Sequence, residues 1–329
     1  MKISKKSQIH AERIARAYNE RFEGDSGPFA RMDANDTIAL SEALEDAKAR
    51  TYEDVYPALQ ARTFFNVDNS VDAGADVFSV ERTDFRGEAA VISDDGNADD
   101  LPRVQVNASK ELRSILSMGD SFAYTVHQLR AAAFGGKPLT NRLALAARRV
   151  YERKFDEIAA FGFGDSRIST GLVNDPNVDI KTVITGTWGT ATAAQILADA
   201  NKLVKELNVD SKETYSADSI LLPTEAYHIM SQTYKSADSD TTLLQAFLAA
   251  NPGIQRVASW RALTGAGAGS TNRMIAYMQS PEVAEIIEPQ AFEMLPPQAR
   301  NLAFVVNCHG RTAGGAAFSP LGMAYMDGI

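Results

Sequence analysis

Apolar residues recur at three- and four-residue steps along one stretch of the chain, at Leu139, Leu143, Ala147, Val150, Tyr151, Phe155 and Ile158. That period predicts a single helix from Lys137 to Phe161, with Pro138 in its first turn, where a missing N–H leaves no bond unmade. Arg142, Arg148, Arg149, Glu152, Arg153, Asp156 and Glu157 fall on the opposite side, so one face packs and the other is charged. At roughly 1.5 Å per residue the rod is about 35 Å long. Arg148 with Glu152 and Arg153 with Glu157 have the spacing of exposed ion pairs.

Upstream the pattern is weaker. Residues 7 to 22 predict an amphipathic helix with Ile9, Ile14, Ala17, Tyr18 and Phe22 near one stripe, and Thr37 to Arg50 predict a second. From Tyr52 to Ala75 the helical period disappears, and Pro57, Asn66, Asn69 and Gly74 punctuate an extended path that buries little by itself. It reads equally as a surface connector or as an arm lying on a neighbour. Alternation then takes over. Val77, Phe78, Val80 and Phe85 on the way out, with Val104, Val106, Leu112, Ile115 and Leu116 on the return, predict a long β-hairpin around the acidic turn GEAAVISDDGNADDLP. A lone two-stranded ribbon is marginal in water, so it needs a surface to lie on. Asp120 or Ser121 is placed to cap a helix running through Phe134.

Beyond the long helix the elements alternate. Strands are predicted at Thr182 to Thr185, Ser219 to Leu222, Ile254 to Trp260, Arg273 to Met278 and Val283 to Ile287. Helices are predicted from Thr190 to Asn208, after Pro223, and from Thr241 to Ala250, which together describe an α/β lobe. The loop TGAGAGSTN reads as a flexible tip. Leu302 to Cys308 and Arg311 to Phe318 read as antiparallel strands around His309-Gly310.

Composition narrows the function. A chain of 329 residues exceeds the usual single core, and 45% hydrophobic content excludes a mostly disordered protein. A net charge of −9 argues against a surface that grips nucleic acid or anionic lipid by neutralising phosphates. The single cysteine, Cys308, forms no internal disulfide. The charged N-terminus lacks the apolar segment of a signal peptide, and no run approaches a membrane span, so the chain is expected in the cytosol when made.

Candidate chemistry is sparse, and no catalytic, cofactor-binding or metal-ligating residues are assigned. There is no G-x-S-x-G, and His10, His127, His228 and His309 stand in unrelated contexts. Asp94, Asp95, Asn97 and Asp99 suggest a calcium loop, but the sixth-position glycine is missing and Val106 stands where a glutamate would close it. Gly162 and Gly164 have Arg167 where a dinucleotide fingerprint needs glycine, and GAGAGS lacks a phosphate-loop lysine. What is left is a surplus of elements that cannot bury themselves: an arm, a hairpin and a strut attached to one lobe. That suits a subunit completed by its neighbours. A soluble α/β enzyme with an unrecognised carboxylate pair is the alternative from another class.

The run LRAAAFGGKPLTNRLALAARRVYERKFDEIAAFG, the GLVNDPNV that follows it and the ending RTAGGAAFSPLGMAYMDGI resemble tailed-phage major capsid proteins with the Hong Kong 97 capsid fold. The resemblance implies an α+β chain with an N-terminal arm (1–75), an extended loop (76–117), a peripheral domain with a spine helix (118–182), an axial domain (183–295) and return strands to the peripheral domain (296–329). It implies a homo-oligomer that self-assembles as pentamers and hexamers into an icosahedral shell, encloses DNA without sequence-specific binding, and resides in the virion after assembly in host cytoplasm. Scaffolding, portal and decoration proteins are the implied partners. An encapsulin-type nanocompartment is the alternative within the fold; encapsulins place a helix where Tyr52 to Ala75 reads as extended. Some relatives crosslink through a lysine on the extended loop, but no lysine lies between Lys48 and Lys110. Ionic contacts are therefore expected between Asp94, Asp95, Asp99 and Asp100 of one copy and arginines of another, with Arg103, Arg148, Arg149 and Arg153 as candidate contact residues.

Overall fold

The computed structural model describes residues 59–89, 103–135, 139–164, 167–184, 186–236 and 238–329. The two helices predicted before Tyr52, and the acidic turn with Asp94, Asp95, Asp99 and Asp100, lie outside these residues. In chain order the elements are α1 (Ala61–Phe64), β1 (Asn66–Asp68), β2 (Val77–Arg86), β3 (Gln105–Ser114), β4 (Leu116–Thr125), α2 (Val126–Phe134), α3 (Leu139–Phe161) and β5 (Asp179–Thr182). Then follow α4 (Ala193–Asp210), β6 (Ser219–Leu222), α5 (Thr224–Gln232), α6 (Leu243–Ala250), β7 (Arg256–Ser259), β8 (Arg273–Tyr277) and β9 (Ala284–Ile287). The last are β10 (Gln290–Met294), β11 (Gln298–Arg300), β12 (Ala303–Thr312), β13 (Gly314–Ala317) and β14 (Met323–Asp327).

The α/β lobe is built on a five-stranded sheet in the order β5-β14-β8-β6-β7. Its side chains alternate between two cores, as the period of a strand dictates. Leu222, Met274, Ala276, Ala324 and Met326 face α4, α5 and α6 with Trp188, Leu203 and Phe247. Leu221, Ile275, Tyr277, Met323 and Tyr325 face Phe64, Phe65, Tyr151, Phe155, Leu172 and Trp260. The long helix thus shares a core with the lobe. The final strand departs from the expectation that all the last strands return to a peripheral domain: β14 lies between β5 and β8, while β12 pairs with β4 and β13 with β9.

The remaining sheet is centred on β12, which pairs with β4 over ten residues on one side and with β10 and β11 on the other. The helix predicted from Asp120 or Ser121 starts later, because Leu116, Met118, Asp120, Phe122 and Tyr124 continue the strand alternation. Thr125 is the cap: its hydroxyl accepts from Gln128 N at 3.2 Å, and Gln128 Oε1 accepts from Thr125 N at 3.0 Å. Nor does the chain turn at His309-Gly310. Gly310 lies within β12, where a Cβ would overlap the Tyr151 hydroxyl of α3, and the turn comes at Gly314, with φ +73°.

The extended path expected from Tyr52 to Ala75 is, where described, neither loose nor fully extended. It forms α1 and β1, and Phe64 and Phe65 are buried against Trp260 and Tyr277 of the same chain. Asp156 on α3 accepts Ala61 N at 2.8 Å and Gln60 N at 3.1 Å, satisfying donors at the start of α1. Two expectations for α3 also change. Val150 is half exposed, not packed, and the predicted pairs do not form: Glu152 goes to Arg62 and Glu157 to Lys154. The GAGAGS loop is tied down by an Ala268 N bond to Asp327 Oδ2 at 2.9 Å and a Gly267 N bond to the Thr271 carbonyl at 2.8 Å.

Candidate assembly interface

The hairpin pairs β2 with β3 in an unbroken antiparallel register from Val77↔Ser114 to Arg86↔Gln105. Side chains therefore sort onto two faces. One face carries Phe78, which packs at the base against the core of Ile115, Ile287, Ala313 and Ala316. The base is held further by Arg311, which reaches Asp76 Oδ1 at 2.7 Å and the Ala73 carbonyl, and by Arg113, whose Nη2 lies 3.9 Å from the buried Asp175. The other face carries Val77, Phe85, Val106 and Leu112, all exposed, with Phe85 at 71%. Among the described residues nothing covers this apolar face of the ribbon, a costly arrangement for a solitary molecule.

The second surface is the outer side of α3. Arg148, Arg149 and Arg153 are exposed there, and neither Arg148 nor Arg153 has an ion-pair partner among the described residues. Leu145 and Val150, 54% and 50% exposed, stand among them. Arg103 is exposed just before the return strand β3. The structure therefore gathers Arg148, Arg149 and Arg153 on one helix and sets Arg103 apart on the hairpin. The exposure of Val150 was hidden from the sequence because it sits one position from the buried Tyr151.

A cleft of about 230 Å³ opens between β4 and α3, lined by Met118, Gly119, Asp120, Val150, Tyr151 and Arg153 among others. Cys308 is buried and stands opposite Asp120 in the strand register. Burial raises the Asp120 carboxyl above the ordinary aspartate range, and burial with the adjacent Asp120 pushes the Cys308 thiol up to about 11. The thiol stays protonated near neutral pH and is a poor nucleophile. Among the described residues no group of three or more His, Cys, Asp and Glu is placed to hold a metal ion, and no helix is long and apolar enough to cross a membrane.

The fold as a whole recurs in solved capsid structures. The chain matches the capsid of Myoviridae phage XM1 with a TM-score of 0.76 and 16% identity, over 88% of this chain and 98% of that one. It matches the capsid of a native GTA particle with a TM-score of 0.62 and 13% identity, over 90% and 99%. For Mycobacterium phage Bobi the TM-score is 0.60 and the identity 12%, over 88% and 97%. The fold is that of a tailed-phage capsid subunit of the Hong Kong 97 type. Residues 87–329 match the family described as major capsid protein, and the chain belongs to that family. A comparison with curated proteins finds no match. The chain is thus a structural protein of the capsid shell.

Proposed function

We infer that this major capsid protein assembles as pentamers and hexamers into an icosahedral head around phage double-stranded DNA, from subunits made in the host cytoplasm and with portal, scaffolding and decoration proteins as further partners. The observation that carries this reading is the ribbon β2–β3, whose apolar face is left exposed by the described residues. Copies of the chain supply that cover. The net charge of −9 keeps enclosed DNA from adhering to the wall. The five-stranded sheet including β14 and helices α4 to α6 form the axial part; α3 with β4 and β12 forms the peripheral part, with residues 1–75 as arm and 76–117 as extended loop.

Register between copies is set by ionic contacts of Asp94, Asp95, Asp99 and Asp100 with Arg148, Arg149 and Arg153 of another copy, and Arg103 contributes from the hairpin. Each rim pair contributes about 0 to 1 kcal/mol, and repetition over a shell multiplies the effect. Two measurements test this reading. Electron microscopy of the purified chain should show closed particles; a small uniform oligomer under all conditions would refute it. An Asp95→Asn, Asp99→Asn double variant should form shells that dissociate at lower denaturant in low salt, with the difference shrinking at high salt. Unchanged stability across salt would remove the ionic contact.

A further inference from the structure

Between Ser121 and Tyr151 the chain holds Arg130, Lys137, Arg142, Arg148 and Arg149 and not one Asp or Glu, although acidic residues outnumber basic ones by 42 to 33 over the whole sequence. The net charge conceals this run. It forms the end of β4, all of α2 and the first half of α3.

Within it, α2 is a helix that its own chain maintains without burying. A capping box of Thr125 and Gln128 fixes its start, yet none of its nine residues is buried. His127, Arg130 and Phe134 recur at three- and four-residue steps and fall on one side. All three are exposed, Phe134 at 98%. α2 touches α3, whose first turn carries the exposed Arg142, and Lys137 belongs to the junction between the helices, outside the described residues. The ionic contacts between copies use Arg103, Arg148, Arg149 and Arg153. Arg130, Lys137 and Arg142 take no part in them.

We propose that α2 and the beginning of α3 face the interior of the shell, where Arg130, Lys137 and Arg142 hold phosphates of the enclosed duplex. Charge is the first reason: with no carboxylate in the run, a polyanion meets attraction along its whole length, and guanidinium forks match phosphate oxygens. Shape is the second. A helix with no buried residue offers a convex surface, so its partner must be concave, and a helix about 10 to 12 Å across with its side chains fits a major groove about 12 Å wide. Phe134 then meets base edges, where apolar side chains are accepted. Each contact is weak, but every subunit repeats it. The rest of the acidic wall still repels DNA, so the duplex is held at points and does not adhere along the surface. The proposal rests on the shell reading and adds to it the place where DNA touches.

Titration of unassembled subunits with a fluorescent duplex of about 30 base pairs and mixed sequence tests it. Affinity should fall as salt rises. The triple variant Arg130→Gln, Lys137→Gln, Arg142→Gln should bind about tenfold more weakly at low salt, with the slope of log affinity against log salt reduced by about 2 to 3. Lys205→Gln, Lys235→Gln, Arg261→Gln makes the same change in net charge elsewhere and should stay within about twofold of the parent. A triple variant that binds like the parent, or a control that loses as much, would overturn the proposal. So would a triple variant that no longer forms particles while the parent does, since the patch would then join copies of the chain or another protein. In the parent chain, amides of 126–134 should exchange several-fold more slowly in DNA-filled particles than in emptied ones, and equal rates would overturn the proposal if the variant does not fold. Failure of the parent to form particles would instead remove the shell reading on which the proposal rests.

Discussion

Arg62 grips Glu288 with both terminal nitrogens, Nη1 at 2.5 Å from Oε2 and Nη2 at 2.7 Å from Oε1, while its guanidinium lies 3.9 Å from the centre of the Phe155 ring. Its Nε also reaches Glu152 at 3.0 Å. One side chain thereby ties α1 to the long helix and to the end of β9. Glu288 is only 3% exposed, and this fork supplies hydrogen bonds to both of its carboxylate oxygens.

Removing the guanidinium strands that carboxylate. Arg62→Ala should destabilise the unassembled subunit by about 1 to 3 kcal/mol in urea unfolding, because the buried Glu288 loses the charge-assisted bonds of its part-exposed partner. Adding Glu288→Gln should recover part of the loss. Arg62→Lys should fall between, because an ammonium cannot reproduce the bidentate geometry.

Gly310 and Tyr151 form a second dependence. A Cβ at Gly310 would overlap the Tyr151 hydroxyl, so Gly310→Ala should cost about 1 to 3 kcal/mol. Because that hydroxyl is buried without a partner among the described residues, Tyr151→Phe alone should leave the melting temperature unchanged or higher. Combined with Gly310→Ala, it should return part of the lost stability. A Tyr151→Phe variant as damaged as Gly310→Ala would refute the account.

Asp156 separates charge from hydrogen bonding. It accepts two backbone N–H groups at the start of α1, yet burial raises its carboxyl above the ordinary range despite those bonds. A raised acid favours the folded state below its unfolded value and loses that contribution as pH climbs through the folded one, so at neutral pH its charge is a burden. Asp156→Asn, which keeps an acceptor, should be neutral or stabilising at pH 7. Asp156→Ala should lose about 1 kcal/mol with the cap.

Asp327 behaves in the opposite sense. Burial pushes its carboxyl up, but the hydrogen bonds from Arg273, at 2.6 and 2.8 Å, and from Ala268 N outweigh it and hold it below the ordinary range. Its contribution is complete above the unfolded aspartate value and disappears as pH falls through the lowered folded value. Asp327→Asn should weaken the subunit at neutral pH and flatten the acid limb of its stability curve. Parallel acid limbs in parent and variant would exclude this assignment.

The amino-acid sequence by itself determined the long helix, the hairpin and the alternation of strands and helices in the lobe, because each is written in a local period of three to four residues or of two. It also pointed to the hairpin as an element short of cover, and Phe85 and Leu112 are exposed among the described residues. Tertiary structure decided the rest. Phe64 and Phe65 sit in a segment with no period, and only Trp260 and Tyr277, some two hundred residues later, make them core. Glu152 meets Arg62 instead of Arg148 because Arg62 is already fixed beside it by Glu288, whereas a pair along the solvated helix face must immobilise two free side chains. The split of the last strands between sheets arises from pairings between residues far apart in the chain, for which local patterning holds no signal.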